Sequence, residues 1–183
     1  MSSEATLKRI LECLLFVASE PLTEARLADI SGYDIKTVRI VLAEMAEIYQ
    51  NHGFQLRQVA GGWQFSTDLG FAPLVEKLYR PKLQQLSQAA METLAIIAYR
   101  QPITRAEIAA IRQVEVDGIV SSLLDKKLVK DVGRRLGPGR AILYGTTEEF
   151  LRFFGLNSLE DLPKPEDGGL AATGEQPIES EVS

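Results

Sequence analysis

A single histidine and a single cysteine occur among the 183 residues of this chain, and both scarcities limit its chemistry. One cysteine excludes an internal disulfide. The one histidine, His52, lies in "NHGF", a turn before a predicted strand, where we interpret it as a solvated surface residue. No cluster of acids, bases or metal ligands accompanies either residue. The sequence therefore weighs against an enzyme, and we expect neither a cofactor nor a metal.

Long apolar runs and an excess of basic residues are missing as well. No run approaches the roughly 20 residues that span a bilayer, and "MSSEATLKRI" lacks the pattern of a secretory signal, so we expect a cytoplasmic protein with no membrane contact. Residues 1–86 carry 9 Lys/Arg against 10 Asp/Glu, residues 87–163 carry 10 of each, and residues 164–183 carry 1 against 5. Nucleic-acid-binding domains usually have a clear basic excess, which this near-neutral body lacks.

What the sequence does contain is an internal repeat at an offset of 81 residues. "EPLTEARLADI" (20–30) matches "QPITRAEIAAI" (101–111), and the similarity continues on both sides. Each copy predicts a helix, a proline-containing turn, a short helix, a second turn and a third helix. Thr104 and Glu107 have the spacing of a capping box, and Thr23 is the predicted N-cap in the first copy.

A β-like segment follows each third helix. "FQLRQVAGGWQFST" (54–67) and "LVKDVGRRLGPGRAILYGT" (128–146) both predict hairpins. A helix-turn-helix followed by a hairpin is a winged helix, so the predicted fold class is mainly α with small β-hairpins (α+β), as two tandem winged-helix domains. The predicted boundaries are 1–68 for the N-terminal winged-helix domain, 69–86 for a helical linker stopped at Pro81, 87–163 for the C-terminal winged-helix domain and 164–183 for a disordered acidic tail.

Winged helices often place their third helix in the major groove of DNA. In the second copy this helix begins with Glu115 and Asp117, which would repel phosphates, while the first copy offers only Lys36 and Arg39 as basic residues. The loop "GRRLGPGR" (133–140) lacks the ending of a phosphate-binding loop; it is either a solvated hairpin loop or a wing tip that touches a DNA backbone. We expect direct DNA binding to be weak or absent.

The first helix of each copy is apolar nearly all round, in "ILECLLFVA" and "AAMETLAIIAY". A helix at the edge of a domain needs only one buried stripe, so these helices predict a second covered face. Either the chain itself covers both faces, or the helices also meet another protein. Cys13, taken alone, is most simply interpreted as a small buried hydrophobic residue of the first helix.

Two long strings, "LSQAAMETLAIIAYRQPITRAEIAAIR" and "GRAILYGTTEEFLRFFGLNSLEDLP", resemble the segregation and condensation protein B (ScpB) family, and the resemblance spans about residues 5–163. It implies a non-catalytic homodimer that binds the kleisin ScpA and, through it, the SMC ATPase, in chromosome condensation and segregation before cell division. It also implies dimerisation through the N-terminal domains and kleisin binding through the C-terminal domains. The sequence departs from the family in "IRQVEVDGIV", where Gln113 stands in place of a common glycine, so we expect a turn of different shape there.

From this resemblance we predict two surfaces. The dimer interface is predicted on the outer side of the first helix, at Cys13, Phe16 and Val17. The kleisin groove is predicted between the first and closing helices of the second domain. Its predicted residues are Leu94, Ile97, Phe150 and Phe153. For all of these residues the alternative is a place in the core, and the alternative function is a tandem winged-helix DNA-binding transcriptional regulator.

Overall fold

The computed structural model describes residues 3–79, 86–136 and 139–164 of the chain. Within these ranges the buried hydrophobic residues form two separate clusters, one drawn from residues 7–63 and the other from residues 90–150. Each cluster is enclosed by three helices and a hairpin, so the predicted fold class of two tandem winged helices is confirmed. The tail from residue 165 and the predicted helix stop at Pro81 lie outside the described residues.

The first winged helix is followed by a 3-10 turn and a short fourth helix. Its elements are α1 (Ser3–Val17), α2 (Glu24–Ser31), α3 (Ile35–Tyr49), β1 (Phe54–Val59), β2 (Gly62–Thr67), the 3-10 turn Leu69–Phe71 and α4 (Ala72–Tyr79). The predicted N-cap Thr23 accepts a hydrogen bond from the Arg26 backbone, and Asp34 caps α3 in the same way. Polar side chains before each helix thus satisfy N–H groups that have no partner inside the helix.

The second winged helix repeats this order and adds a short third strand. Its elements are α5 (Gln88–Arg100), β3 (Ile103–Thr104), α6 (Arg105–Arg112), α7 (Asp117–Asp125), β4 (Val129–Arg134), β5 (Ile142–Thr146) and α8 (Glu148–Phe154). The strands form an antiparallel sheet in the order β3-β5-β4. The capping box of Thr104 and Glu107 is present, and Thr147 caps α8, which ends at Gly155 in the left-handed conformation.

The 81-residue repeat extends to strand pairing. Leu22 pairs with Trp63 as an isolated antiparallel bridge, with backbone hydrogen bonds of 2.9 and 2.8 Å in the two directions. The corresponding pair in the second copy, Ile103 and Tyr144, belongs to the ladder between β3 and β5. In both copies the segment before the second helix is therefore fastened to the second hairpin strand, which closes the core.

The contacts between the two winged helices recorded among the described residues are few and polar. The β1–β2 turn donates from the Ala60 backbone to the Leu156 carbonyl at 2.9 Å and from the Gly61 backbone to Asn157 Oδ1 at 3.0 Å. An exposed ion pair joins Glu20 and Arg152 at 3.2 Å. Interfaces of this kind contribute little to the stability of either side.

Candidate interaction surfaces

Helix α1 has a buried stripe and an exposed apolar side. Its stripe of Leu7, Leu11 and Leu15 is spaced by four residues and packs into the first core. The three residues predicted for the dimer interface lie away from this stripe: Cys13 is exposed, and Phe16 and Val17 are 83% and 70% exposed. The interpretation of Cys13 as a buried core residue is wrong, because the leucine stripe alone occupies the core side of the helix.

A surface cavity of about 650 Å³ lies beside these residues. It is lined by Arg9, Glu12, Cys13, Leu15, Phe16, Ala18, Tyr49, Phe54, Phe65, Ser66 and Thr67. The rings of Tyr49, Phe54 and Phe65 form a cluster with centroid separations of 5.0–5.4 Å. This wall is mainly apolar, and Phe65 packs edge to face on the other two rings, an arrangement that aromatic pairs favour.

The polar groups of the cavity are partly satisfied within the chain. The Tyr49 hydroxyl donates to Glu12 Oε1 at 2.9 Å. Burial, followed by this hydrogen bond and the negative charge of Glu12, raises the pKa of Tyr49, so the phenol remains protonated. The Ser66 hydroxyl on the same wall is buried and has no hydrogen-bond partner among the residues that the structure describes. Such a group is costly to leave unsatisfied.

More exposed apolar residues follow β2, in the segment that the sequence predicted as a helical linker. Leu69 and Phe71 in the 3-10 turn are exposed, and so are Leu74 and Leu78 in α4, at 61% and 75%. The spacing of Phe71, Leu74 and Leu78 (i, i+3, i+7) is that of one face of a helix and is visible in the sequence. We call Phe16, Val17, Phe54, Leu69, Phe71, Leu74 and Leu78 the N-terminal apolar surface.

The predicted kleisin residues do not share one surface. Leu94, Ile97 and Phe150 are all buried in the second core, and only Phe153 is accessible, at 49% exposure. The sequence pattern did not separate these roles because α5 is apolar nearly all round. Phe153 packs edge to face on Phe154, with centroids 5.1 Å apart.

Two more exposed residues accompany Phe153 at the end of α8. Phe154, itself partly exposed, packs at a tilt against the buried Phe150 with centroids 4.9 Å apart, and Leu159 lies exposed in the 3-10 turn that follows. Phe153, Phe154 and Leu159 form what we call the C-terminal apolar patch. Phe154 thereby connects the patch to the second core, which fixes the orientation of its rings.

Each of the two helices that would read DNA holds one charged residue in an ion pair. In the first winged helix Arg39 forms an ion pair with Glu24 at 2.8 Å, and this hydrogen bond raises the pKa of Arg39. In the second, Asp117 at the start of α7 pairs with Arg105 at 3.2 Å. Glu115 is exposed just before it. A helix that presents acids at this point repels the phosphate backbone.

The wing of the second copy carries three arginines, one of which forms an ion pair with a residue of α6. Arg135 binds Glu107 at 2.8 Å. The pKa of Glu107 is lowered to about 2, chiefly by hydrogen bonds from the backbone and hydroxyl of Thr104 and then by Arg135. Arg134 and Arg140 are exposed, and residues 137–138 of the loop lie outside the described residues. The wing thus offers few basic groups for a phosphate.

The described part of the chain holds neither a cluster of metal ligands nor a membrane-spanning helix. Across residues 3–79, 86–136 and 139–164, no group of three His, Cys, Asp or Glu side chains could hold a metal ion. His52 is exposed in a turn, as the sequence predicted, and its ring lies 5.3 Å from that of Tyr49. None of the helices in these ranges is long and apolar enough to cross a membrane.

Comparison with known proteins gives consistent matches over most of the chain. Residues 9–165 match the family described as "Segregation and condensation complex subunit ScpB". Proteins named segregation and condensation protein B from Moorella thermoacetica and Desulforamulus reducens are 52% and 51% identical over 163 and 162 residues. These alignments cover 88% and 87% of this chain and 84% and 90% of the relatives.

Two solved structures are also similar to this chain. The structure of ScpB from Mycobacterium tuberculosis is 39% identical and covers 85% of this chain and 99% of its own, with a TM-score of 0.42. A structure described as a dimer of the ScpB N-terminal domain complexed with ScpA peptide is 25% identical and covers 42% of this chain and 99% of its own, with a TM-score of 0.40.

Proposed function

This chain belongs to the ScpB family of segregation and condensation complex subunits, and from that premise we propose that it is a non-catalytic scaffold. In this proposal it forms a homodimer that binds the kleisin ScpA and, through the kleisin, the SMC ATPase. The assembly acts on the chromosome in the cytoplasm, in condensation and segregation before cell division. The observation that carries the proposal is that each winged helix exposes an apolar surface. On the helices that would otherwise read DNA, the charged residues Arg39 and Asp117 are held in ion pairs.

The N-terminal apolar surface is the proposed dimer interface. Large exposed apolar patches on a folded chain favour contact with another protein, since water contact with them is unfavourable. Phe16 and Val17 project from α1, and Cys13 lies on the cavity wall next to them. A two-fold dimer would place the same patch of both copies face to face.

The C-terminal apolar patch is the proposed kleisin contact. An amphipathic helix docks on an apolar groove through side chains spaced by three and four residues. Phe153 and Phe154 offer aromatic anchors for such a helix, and Leu94, Ile97 and Phe150 support them from within the core rather than by touching the partner. Of the four residues predicted for the kleisin groove, only Phe153 would then touch the partner.

Light scattering on size-exclusion fractions, with and without ScpA from the same organism, tests both the proposed dimer interface and the proposed kleisin contact. We expect the mass of two chains alone and a larger complex with ScpA. Phe16→Glu should yield a single chain, and Phe153→Glu should lose ScpA while remaining a dimer. Leu136→Glu is the matched control, because Leu136 is 98% exposed in the wing loop and outside both surfaces. A wild-type monomer, or ScpA binding that survives Phe153→Glu, would contradict the corresponding part.

A further inference from the structure

The short helix α4 has an apolar face that the described residues of its own chain leave uncovered. It packs chiefly against the 3-10 turn that precedes it, and both of its leucines are more than half exposed. An isolated helix of eight residues is unstable in water, because nucleation costs more than so few hydrogen bonds return. In most surface helices this cost is offset by burial of the apolar face. Helix α4 therefore needs a surface that covers Leu74 and Leu78.

The aromatic cavity could hold apolar side chains such as the leucines of α4. Its walls come from α1, the end of α3 and the two strands β1 and β2, and no residue of α4 lines it. The volume of about 650 Å³ exceeds what a single side chain fills.

A hydrogen-bonded turn before α4 keeps the helix out of the cavity of its own chain. The Asp68 backbone donates to the Gly53 carbonyl at 3.0 Å, and the Asp68 carboxylate accepts from the Gly70 backbone at 2.7 Å and from Gln55 Nε2 at 2.6 Å. Only residues 68–71 separate the cavity wall at Thr67 from the start of α4. With this turn fixed, α4 stays beside its own cavity and presents its leucines outward.

We propose that two copies of the chain exchange α4, so that the leucine face of each α4 covers the aromatic cavity of the other copy. This rests on the proposed homodimer and adds the element that crosses over. In a two-fold arrangement the exchange is reciprocal, so both cavities and both helices are covered at once. The partner copy then completes a cavity wall that one chain leaves open.

The area available agrees with a stable dimer. The side chains of the N-terminal apolar surface expose on the order of 800 Å² per copy, if a fully exposed phenylalanine counts about 200 Å² and the aliphatic residues somewhat less. A standard stable interface buries about 800 Å² per partner. Without α4 and the 3-10 turn the surface falls to roughly half of that, below the usual size of a stable interface. The helix exchange thus supplies the area that α1 lacks.

Cross-linking between two kinds of full-length chain tests the exchange, since Cys13 is the one cysteine and lies on the cavity wall. Wild-type chain is mixed with a tagged Cys13→Ser/Leu78→Cys chain, allowed to exchange subunits, and treated with a short bismaleimide. We expect a covalent heterodimer that joins Cys13 of one chain to the thiol introduced by Leu78→Cys in the other. A Cys13→Ser/Leu136→Cys chain is the matched control and should give at least tenfold less heterodimer.

The outcomes separate the exchange from the homodimer on which it rests. A mass of two chains with no heterodimer above the Leu136 control would overturn the exchange and leave the homodimer standing. A single-chain mass at all concentrations would overturn both. As a second readout, Leu74→Asp should weaken dimerisation at least tenfold while Leu136→Asp leaves it unchanged. Equal effects of the two substitutions, with Trp63 fluorescence showing both folded, would also overturn the exchange.

Discussion

Arg112 provides the sharpest test of how the second winged helix is held together. Its side chain, 12% exposed, donates to the Ala89 carbonyl and to Thr93 Oγ1, both at 2.8 Å, and to Glu92 Oε2 at 2.7 Å. These bonds fasten the end of α6 to the first turn of α5. Arg112→Met keeps most of the apolar stem and removes all three donors, so it isolates the polar contribution.

The magnitude follows from the surroundings of each acceptor. Hydrogen bonds from a charged donor contribute roughly 1.5–3 kcal/mol each. The Glu92 bond counts for at most about 1 kcal/mol because Glu92 is half exposed. The other two acceptors keep a partner, since Thr93 Oγ1 still donates to the Ala89 carbonyl. We therefore expect a loss of about 2–3 kcal/mol, or roughly 10–20 °C in the melting temperature of a domain of this size.

The assay uses the position of the one tryptophan. Trp63 lies in the first core, so its fluorescence reports the first winged helix, whereas far-UV circular dichroism reports helices in both. Arg112→Met should lower the melting temperature of one circular dichroism transition and leave the Trp63 midpoint unchanged. Glu92→Gln should cost less than about 1 kcal/mol. If Arg112→Met destabilises the protein no more than Glu92→Gln does, the buried hydrogen bonds of Arg112 do not hold α6 to α5. If it lowers the Trp63 midpoint as much as the circular dichroism midpoint, the two cores do not unfold separately.

Three further substitutions give distinct expectations. Gly62→Ala should destabilise the first winged helix by about 2–3 kcal/mol, measured by Trp fluorescence in urea, because a Cβ there would lie 2.9 Å from the Pro21 backbone. Gly53→Ala in the same winged helix is the matched control, because a Cβ there would meet only Phe71 Cε2 at 3.9 Å, an ordinary van der Waals contact. Hydrogen bonds from Thr104 and Arg135 lower the pKa of Glu107 from its ordinary value of 4.5 to about 2, so its contribution to stability is complete above pH 4.5 and is lost as the pH falls toward 2. Glu107→Gln should be less stable than wild type at pH 6 and no different at pH 2, by circular dichroism melting. Gln113→Gly should stabilise the second winged helix by about 1 kcal/mol in the same melts. The backbone at Gln113 has a φ of 55°, which glycine adopts without strain. No change in stability would mean that contacts of the Gln113 side chain offset this backbone strain.

The features that were predicted from the sequence depend on residues close together along the chain. The N-cap at Thr23 and the capping box from Thr104 to Glu107 follow from a side chain that reaches backbone two or three residues ahead. The hairpins follow from alternation around a glycine turn. Because both copies keep these local signals, the repeat predicted two winged helices, and even the pairing of Leu22 with Trp63 recurs at the same offset as Ile103 with Tyr144.

The candidate surfaces were predicted only in part, because burial depends on what packs across from a residue. Leu94 and Phe153 both satisfy an apolar pattern, yet one lies in the core and the other faces solvent. Cys13 is exposed because the leucine stripe of α1 is already enough to cover the first core. The leucines of α4 were passed over because a short helix after a hairpin looks like a linker when its surroundings are unknown.

The sequence by itself determined the family, the two winged helices and the local stops and caps of their helices. Those are set by interactions within about four residues and by the hydrophobic period. Only the tertiary structure decided which residues of α1 and α8 are left for a partner, that an aromatic cavity opens beside Cys13, and that α4 lies outside it. The physical reason is that an apolar residue gains the same free energy from any apolar cover, so its own identity does not specify whether that cover comes from its chain or from another.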